Sequence, residues 1–304
     1  MNDALLKFLF HGAPVRAEAV QLREAWQQMT ALHDYPAPVA RLLGEMTAAA
    51  ALLSTTIKFN GALIIQIHGD GPVKLLVVEC QPDLALRATA KLRAGAHVPD
   101  GATLRELVNA NGQGRCAITL DPRDPKPGQQ PYQGVVPLEG ASIAQALESY
   151  MRRSEQLDTR LWLAADGAGA AGLLLQRLPR DGGRAGADDH GETWQRAVTL
   201  ASTVDARELL SIGPDELVRR LYWQERLDAV AAFTPRFQCT CSRERIGRML
   251  VSLGREEVDS IIAELGSVTV TCDFCNSQHE FDSIDVEQLF STGSTDTGAR
   301  DPLH

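Results

Sequence analysis

Four cysteines near the C-terminus constrain this chain more than any other feature. Cys239 and Cys241 form a Cys-x-Cys pair, Cys272 and Cys275 a Cys-x-x-Cys pair, and thirty residues lie between the pairs. Four thiols in two tight pairs are the ligand count of a structural Zn2+, because a d10 ion accepts a tetrahedron of soft thiolates without a geometric preference of its own. The second pair has zinc-knuckle spacing, and the first is one residue shorter than is usual. Two structural disulfides, or four unrelated buried thiols, are the alternatives. Four of the six cysteines fall within 37 residues, which favours one shared site. Zn2+ held by Cys239, Cys241, Cys272 and Cys275 is the expectation.

Compartment bears on that choice. The N-terminus, MNDALLKFLFHGAP, carries Lys7 inside its only apolar run and has no small-residue cleavage site, so a secretory signal is not expected. The most apolar long stretch, residues 39–57, contains Arg41 and Glu45 and reads as a buried helix, not a membrane span. A cytoplasmic protein is the expectation. In a reducing compartment paired cysteines are more often metal-binding or redox-active than structurally bridged. The 39 acidic residues outnumber 30 basic ones, for a net charge of −9, which disfavours a protein that tracks phosphates along nucleic acid.

A chain of 304 residues suggests about two domains, and its 44% apolar content can fill a core. Residues 15–57 read as two helices: one with Val20, Leu22, Trp26, Met29 and Leu32 on a stripe, the next opening after Pro36 and Pro38. Strand patterns follow at 62–68 and 73–79, joined through Gly69-Asp70-Gly71-Pro72. Shorter β-rich runs come at 86–89, 116–120 and 133–137. A helix starts near Ser142 with Gln145 three residues on, and residues 161–165 and 172–178 look like a strand pair. Residues 1–179 are therefore expected to form an α+β domain with a largely antiparallel sheet. Residues 180–235 read as a charged helical linker, opening with a Gly- and Asp-rich loop at 180–191 and continuing with narrow apolar stripes at 194–204, 209–212 and 217–222. Helices of that kind are marginal unless packed on something larger. Residues 236–290 hold the thiols, with two helices stopped by Gly254 and Gly266 and a strand at Val268 and Val270. The polar tail, 291–304, is expected to be disordered.

Other motifs carry less. Residues 167–172 spell GxGxxG, but only six residues separate the motif from Pro179 and they read as a strand, so a hairpin loop is expected in place of a dinucleotide site. No GxxxxGK[ST] loop supports ATP-driven chemistry. The histidines, at 11, 33, 68, 97, 190, 279 and 304, are scattered without HExxH. His279, four residues beyond Cys275, is an unneeded fifth candidate ligand. Cys80 and Cys116 sit in strand-like runs and read as buried, inert thiols. A thioredoxin-like role for Cys272 and Cys275 would need a helix N-terminus at the first cysteine, whereas Cys272 follows a strand. The thiol segment has five arginines and no lysine against ten carboxylates over 236–290, which argues against a zinc-based nucleic-acid reader.

FQCTCSRERIGRMLVSLG followed by VTVTCDFCNSQHEFD closely resembles the redox-switch region of the redox-regulated bacterial heat-shock chaperones, the 33 kDa chaperonins. The likeness extends through ARELLSIGPDELVRRLYWQE, YMRRSEQLDTRLWL, GPVKLLVVEC and LRATAK, so it covers nearly the whole chain. His279 departs from the aromatic residue usual there. The resemblance implies an ATP-independent holdase, inactive when reduced and zinc-loaded, that binds unfolding client proteins after oxidation. It also implies an α+β domain, a helical linker, a small zinc domain and a homodimer in the activated state. The disulfides expected on oxidation are Cys239 with Cys241 and Cys272 with Cys275. A thiol-disulfide oxidoreductase or zinc hydrolase is the alternative class, and four cysteine ligands, by closing the coordination sphere, speak against it.

Overall fold

The computed structural model of the chain describes residues 3–57, 59–125, 128, 130–179 and 191–293. They divide into two compact units, Met1–Gln238 and Cys239–His304. The mixed α+β architecture with antiparallel sheets expected from the sequence is present in the first.

The first unit is built from two sheets. One has five strands in the order β10-β1-β2-β9-β8, namely β1 (Ala4–Phe10), β2 (Val15–Leu22), β8 (Thr159–Ala165), β9 (Ala170–Arg177) and β10 (Leu227–Phe233), all antiparallel. The other has six, in the order β11-β5-β4-β3-β6-β7: β3 (Gly61–His68), β4 (Val73–Cys80), β5 (Ala85–Leu92), β6 (Arg115–Pro122), β7 (Tyr132–Pro137) and β11 (Arg236–Phe237). Only β11 against β5 is parallel there. The helices are α1 (Glu24–Thr30), α2 (Ala37–Thr56), α3 (Leu104–Val108), α4 (Ile143–Arg153), α5 (Glu192–Ala201), α6 (Ala206–Ser211) and α7 (Pro214–Leu221).

Helix α2 packs against strands of both sheets and is buried on almost every side. Proline in its first turn suits the helix start. Four consecutive alanines, Ala48–Ala51, are fully buried and keep the helix thin between its neighbours. Gly44 serves the same end: a Cβ there would meet Ala165 Cβ at 2.5 Å and the Trp26 ring at 3.1 Å. The main apolar cluster gathers around α2 and reaches α4, β3, β4 and β5.

Strands β2 and β9 of the five-stranded sheet are covered on both faces, and this corrects one sequence expectation. Residues 15–22 are strand β2, not the start of a helix. Val15, Ala17 and Ala19 point to a second cluster under α5, α6 and α7, while Val20 and Leu22 join the α2 cluster. A strand buried on both faces loses its alternating pattern and mimics a helical stripe. The stretch read as a linker supplies α5 to α7, whose Trp194, Ala197, Ala201, Leu209, Leu217 and Val218 complete that second cluster with Tyr222 just past α7, and also the unforeseen edge strand β10. Residues 180–190 of the expected Gly-Asp loop lie outside the described residues.

The second unit contains α8 (Arg243–Leu253), α9 (Arg255–Leu265), the hairpin β12 (Val268–Thr271) with β13 (Gln278–Phe281), and α10 (Ser283–Gly293). Gly254 and Gly266, at φ of 98° and 80°, end α8 and α9 in backbone that L residues rarely adopt. Its apolar cluster is small: Ile246, Leu250, Val258, Val268, Phe281 and Val286. α10 reaches residue 293, into the tail expected to be disordered; residues 294–304 lie outside the described residues.

Candidate metal centre

Two local structures deliver the four thiols. Cys239 and Cys241 lie just before α8, whose N-cap Ser242 accepts a hydrogen bond from the Arg245 N–H at 3.2 Å. Arg245 Nη1 in turn donates to Thr240 Oγ1 at 3.0 Å, tying down the residue between the two cysteines. Cys272 and Cys275 occupy the turn joining β12 to β13. Cys272 N–H donates to Ser277 O at 2.9 Å and Asn276 N–H to Cys272 O at 2.9 Å, with Asn276 at φ 55°. Asparagine tolerates that left-handed conformation better than most residues.

The result is one cluster. All four Sγ atoms lie within 4.8 Å of one another. Cys239 Sγ is 3.7 Å from Cys272 Sγ, and Cys241 Sγ is 3.4 Å from Cys275 Sγ. A tetrahedral zinc with Zn–S bonds of about 2.3 Å needs sulfurs about 3.8 Å apart, so the donor set and its spacing fit such an ion. Burial raises Cys241, and the neighbouring thiols of Cys275, Cys239 and Cys272 raise it further; burial likewise raises Cys239. At Cys275 burial is outweighed by the Ser277 hydroxyl and N–H and by the thiols of Cys241 and Cys239, which bring it down to about 7. Several thiolates at this spacing would need a cation to hold them.

Arg243, which the sequence reading did not single out, ties the centre's surroundings together. It donates to Glu280 O at 2.5 Å, pairs with Asp285 at 2.6 Å and lies 4.3 Å over the Phe281 ring. One side chain thereby joins the start of α8 to β13 and α10. No periodicity marks such a residue, because its role is set by elements that meet only in three dimensions.

The other candidates fall away from this cluster. His279 pairs with Val270 across the hairpin and is not among the clustered ligands; its Nε2 is buried without a hydrogen-bond partner. Cys80 and Cys116 are fully buried in β4 and β6, where burial pushes both thiols up to about 12. The GxGxxG run spans the β8–β9 turn and the first residues of β9: Asp166 Oδ1 accepts from Ala168 N–H at 2.8 Å and Gly169 N–H at 3.0 Å. No helix follows it, as expected. Neither Cys272 nor Cys275 opens a helix, which removes the setting a thioredoxin-like pair requires.

The Hsp33 protein family matches residues 3–282, from the first strand through the thiol hairpin. The chain belongs to the Hsp33 family. It is 47% identical over 293 residues to the 33 kDa chaperonin of Methylobacillus flagellatus, covering 96% of each chain. It is 46% identical over 289 residues to that of Chromobacterium violaceum, covering 95% of this chain and 94% of the relative. The crystal structure of the Thermotoga maritima 33 kDa chaperonin superposes with a TM-score of 0.77 at 19% identity, over 97% of this chain and 100% of that one, which establishes the shared fold. Hsp33 members are named chaperonins, so this is a heat-shock chaperone and not an enzyme. Among the described residues no helix is long and apolar enough to cross a membrane.

Proposed function

We propose that this Hsp33-family protein is a redox-gated, ATP-independent holdase of the bacterial cytoplasm. In the resting state Cys239, Cys241, Cys272 and Cys275 hold one Zn2+, which supplies the second unit with the folding free energy that its core lacks. Structural zinc contributes about 10–16 kcal/mol of apparent folding free energy in small zinc modules. Six buried apolar side chains give far less once chain entropy is subtracted. That imbalance is the observation that carries the reading.

Oxidation removes the ligands. A thiolate attacks a hydroperoxide to give a sulfenic acid and release water or alcohol; a second thiolate displaces hydroxide from that sulfur to close a disulfide. Following the family resemblance, we assign the bridges to Cys239–Cys241 and Cys272–Cys275. The 3.7 and 3.4 Å sulfur contacts instead cross between the pairs, so peptide mapping of the oxidised protein is the direct test of the pairing. A disulfide is a poor zinc ligand, and the second unit loses its metal and its fold.

Residues 180–235 act as the linker that follows. Its helices are six to ten residues long, too short to persist unless docked. Their release would uncover Phe10, Val15, Ala17, Ala19, Leu173 and Leu175 on the five-stranded sheet. That row, together with the freed helical stripes, is the surface we assign to unfolding clients, held by the hydrophobic effect and without sequence preference. Two oxidised copies associate into a homodimer in this reading. The net charge of −9 disfavours nucleic acid as a partner.

Light scattering of a thermally unfolding client tests the proposal. The peroxide-treated protein is expected to suppress aggregation at near-stoichiometric ratios without ATP, and the reduced, zinc-loaded protein to leave it unchanged. Equal behaviour of the two forms would reduce the thiol cluster to a structural clip.

A further inference from the structure

Strand β2 ends its helix-facing row in a polar residue, and a second polar residue follows just beyond it. Val15, Ala17 and Ala19 lie under α5 to α7, the period of two continues that row to Gln21, and Arg23 follows just past the strand as the N-cap of α1. Gln21 is 2% exposed. Its Nε2 donates to Leu210 O at 3.0 Å and to Ile212 O at 3.1 Å, and Arg23 Nη2 donates to Leu210 O at 2.8 Å. Leu210 and Ile212 sit at the C-terminal end of α6, where the last helical carbonyls have no partner within the helix. One side chain of the sheet and one from the start of α1 thus serve as the C-cap of α6.

The arrangement is satisfied on one side only. Gln21 Oε1 and Arg23 Nε are both buried and have no hydrogen-bond partner. A buried orphan polar atom opposes the state that buries it, whereas water would satisfy both atoms once α6 lifted away. The hydrogen bonds therefore hold α6 down while the orphan atoms favour its departure. α6 adds little grip of its own, with Leu209 its sole buried side chain.

We propose that Gln21 and Arg23 form a polar latch on the C-terminal end of α6 that sets how readily the linker leaves the sheet. The proposal rests on the holdase reading for its consequence, but the latch itself is a property of the reduced protein. Gln21 and Arg23 are positioning residues here, acting on α6 through its terminal carbonyls.

Hydrogen exchange on the reduced, zinc-loaded full chain tests the latch directly. The Ile212 amide, bonded to Glu208 O, reports α6, and the Ser154 amide, bonded to Tyr150 O, reports α4 as a control. In Gln21→Met, which keeps the volume and removes both donors, Ile212 is expected to exchange roughly five- to thirty-fold faster, the factor for losing one or two ordinary hydrogen bonds. Arg23→Gln, at a partly exposed position that should fold even if the first variant does not, is expected to give roughly five-fold. Ser154 should not change in either. On peroxide treatment both variants should reach half-maximal suppression of client aggregation earlier than the parent, with zinc release at the parent's rate. Unchanged Ile212 exchange would overturn the latch. Faster exchange with unchanged activation time would overturn its control of linker release. If the oxidised parent suppresses no aggregation, the holdase reading fails, and the exchange rates alone decide whether the latch exists.

Discussion

Two regions of this Hsp33-family chain bury apolar side chains on opposite principles. Around α2 the first unit packs residues from eight or more elements into one continuous cluster, with Ala48–Ala51, Leu52 and Ile65 fully excluded from water. In the second unit, three helices and a hairpin share Ile246, Leu250, Val258, Val268, Phe281 and Val286, while Leu253, Leu265 and Ile284 stay more than half exposed. The first can lose a contact and remain folded. In the proposed reading the second depends on the ion its four sulfurs would hold, and such dependence would let an oxidant dismantle one region and spare the other.

The largest effect should come from the sulfurs themselves. Cys272→Ser, or chelation of the parent, is expected to remove about 10 kcal/mol or more of support. Amide protection in α8 and α9 should vanish while α2 and α4 stay protected. Full protection of α8 in the zinc-free protein would break the comparison. Phe281→Ala comes next. Its ring is 1% exposed and lies beneath the Arg243 guanidinium, so truncation should cost about 3–5 kcal/mol. In so small a core this should appear as a weaker hold on zinc and earlier release to a chelator. An unaltered release rate would mean that the apolar cluster and the metal are not coupled.

Much of this division was legible in the sequence, and the exceptions have a common cause. The Cys-x-Cys and Cys-x-x-Cys spacing is local information, and so are the Gly254 and Gly266 stops and the Gly69–Pro72 turn. Each was readable because a turn or chelate is decided by neighbours along the chain. β2 was misread because it is covered on both faces, which only the fold reveals. β10 was missed for the opposite reason: Ala229, Val230, Ala232 and Phe233 are exposed on an edge, so no buried face imposes alternation. α10 was absorbed into the thiol domain and its tail, since Val286 and Leu289 gain meaning only where they meet α8 and α9. At the site, the thiols were readable but Arg243 was not.

The same substitution in two places sharpens the contrast within the first unit. Leu52 in α2 and Leu217 in α7 are both buried, and Leu→Ala at either should cost about 2–5 kcal/mol. Leu52→Ala is expected to lower the urea midpoint of the whole first unit. Leu217→Ala should leave that midpoint nearly unchanged and instead raise hydrogen exchange across 206–221, because the linker helices open locally. Client capture by this variant should need less oxidation. A fall in the global midpoint equal to that of Leu52→Ala would mean that α5 to α7 unfold only with the rest of the unit.

The smallest effect has the opposite sign and belongs to α2. Glu45 is largely buried, and burial raises its carboxyl from 4.5 to about 7, with Arg41 one turn earlier only partly offsetting the shift. The folded state therefore binds the proton more tightly than the unfolded chain. Below about pH 4.5 both states are protonated and the residue contributes nothing. Between 4.5 and 7 the unfolded chain releases its proton first, so stability falls as pH rises, and above 7 the full penalty stands. Glu45→Gln keeps the shape without the ionisation. It should match the parent at pH 4 and exceed it at pH 8 by at most about 3 kcal/mol, read from urea unfolding of the reduced protein. The gain should appear only in the transition of the first unit, because Glu45 lies in the α2 helix at its centre. A gain of equal size at pH 4 would show that side-chain shape, and not the proton, sets the cost of placing a carboxylate on the most buried helix of the fold.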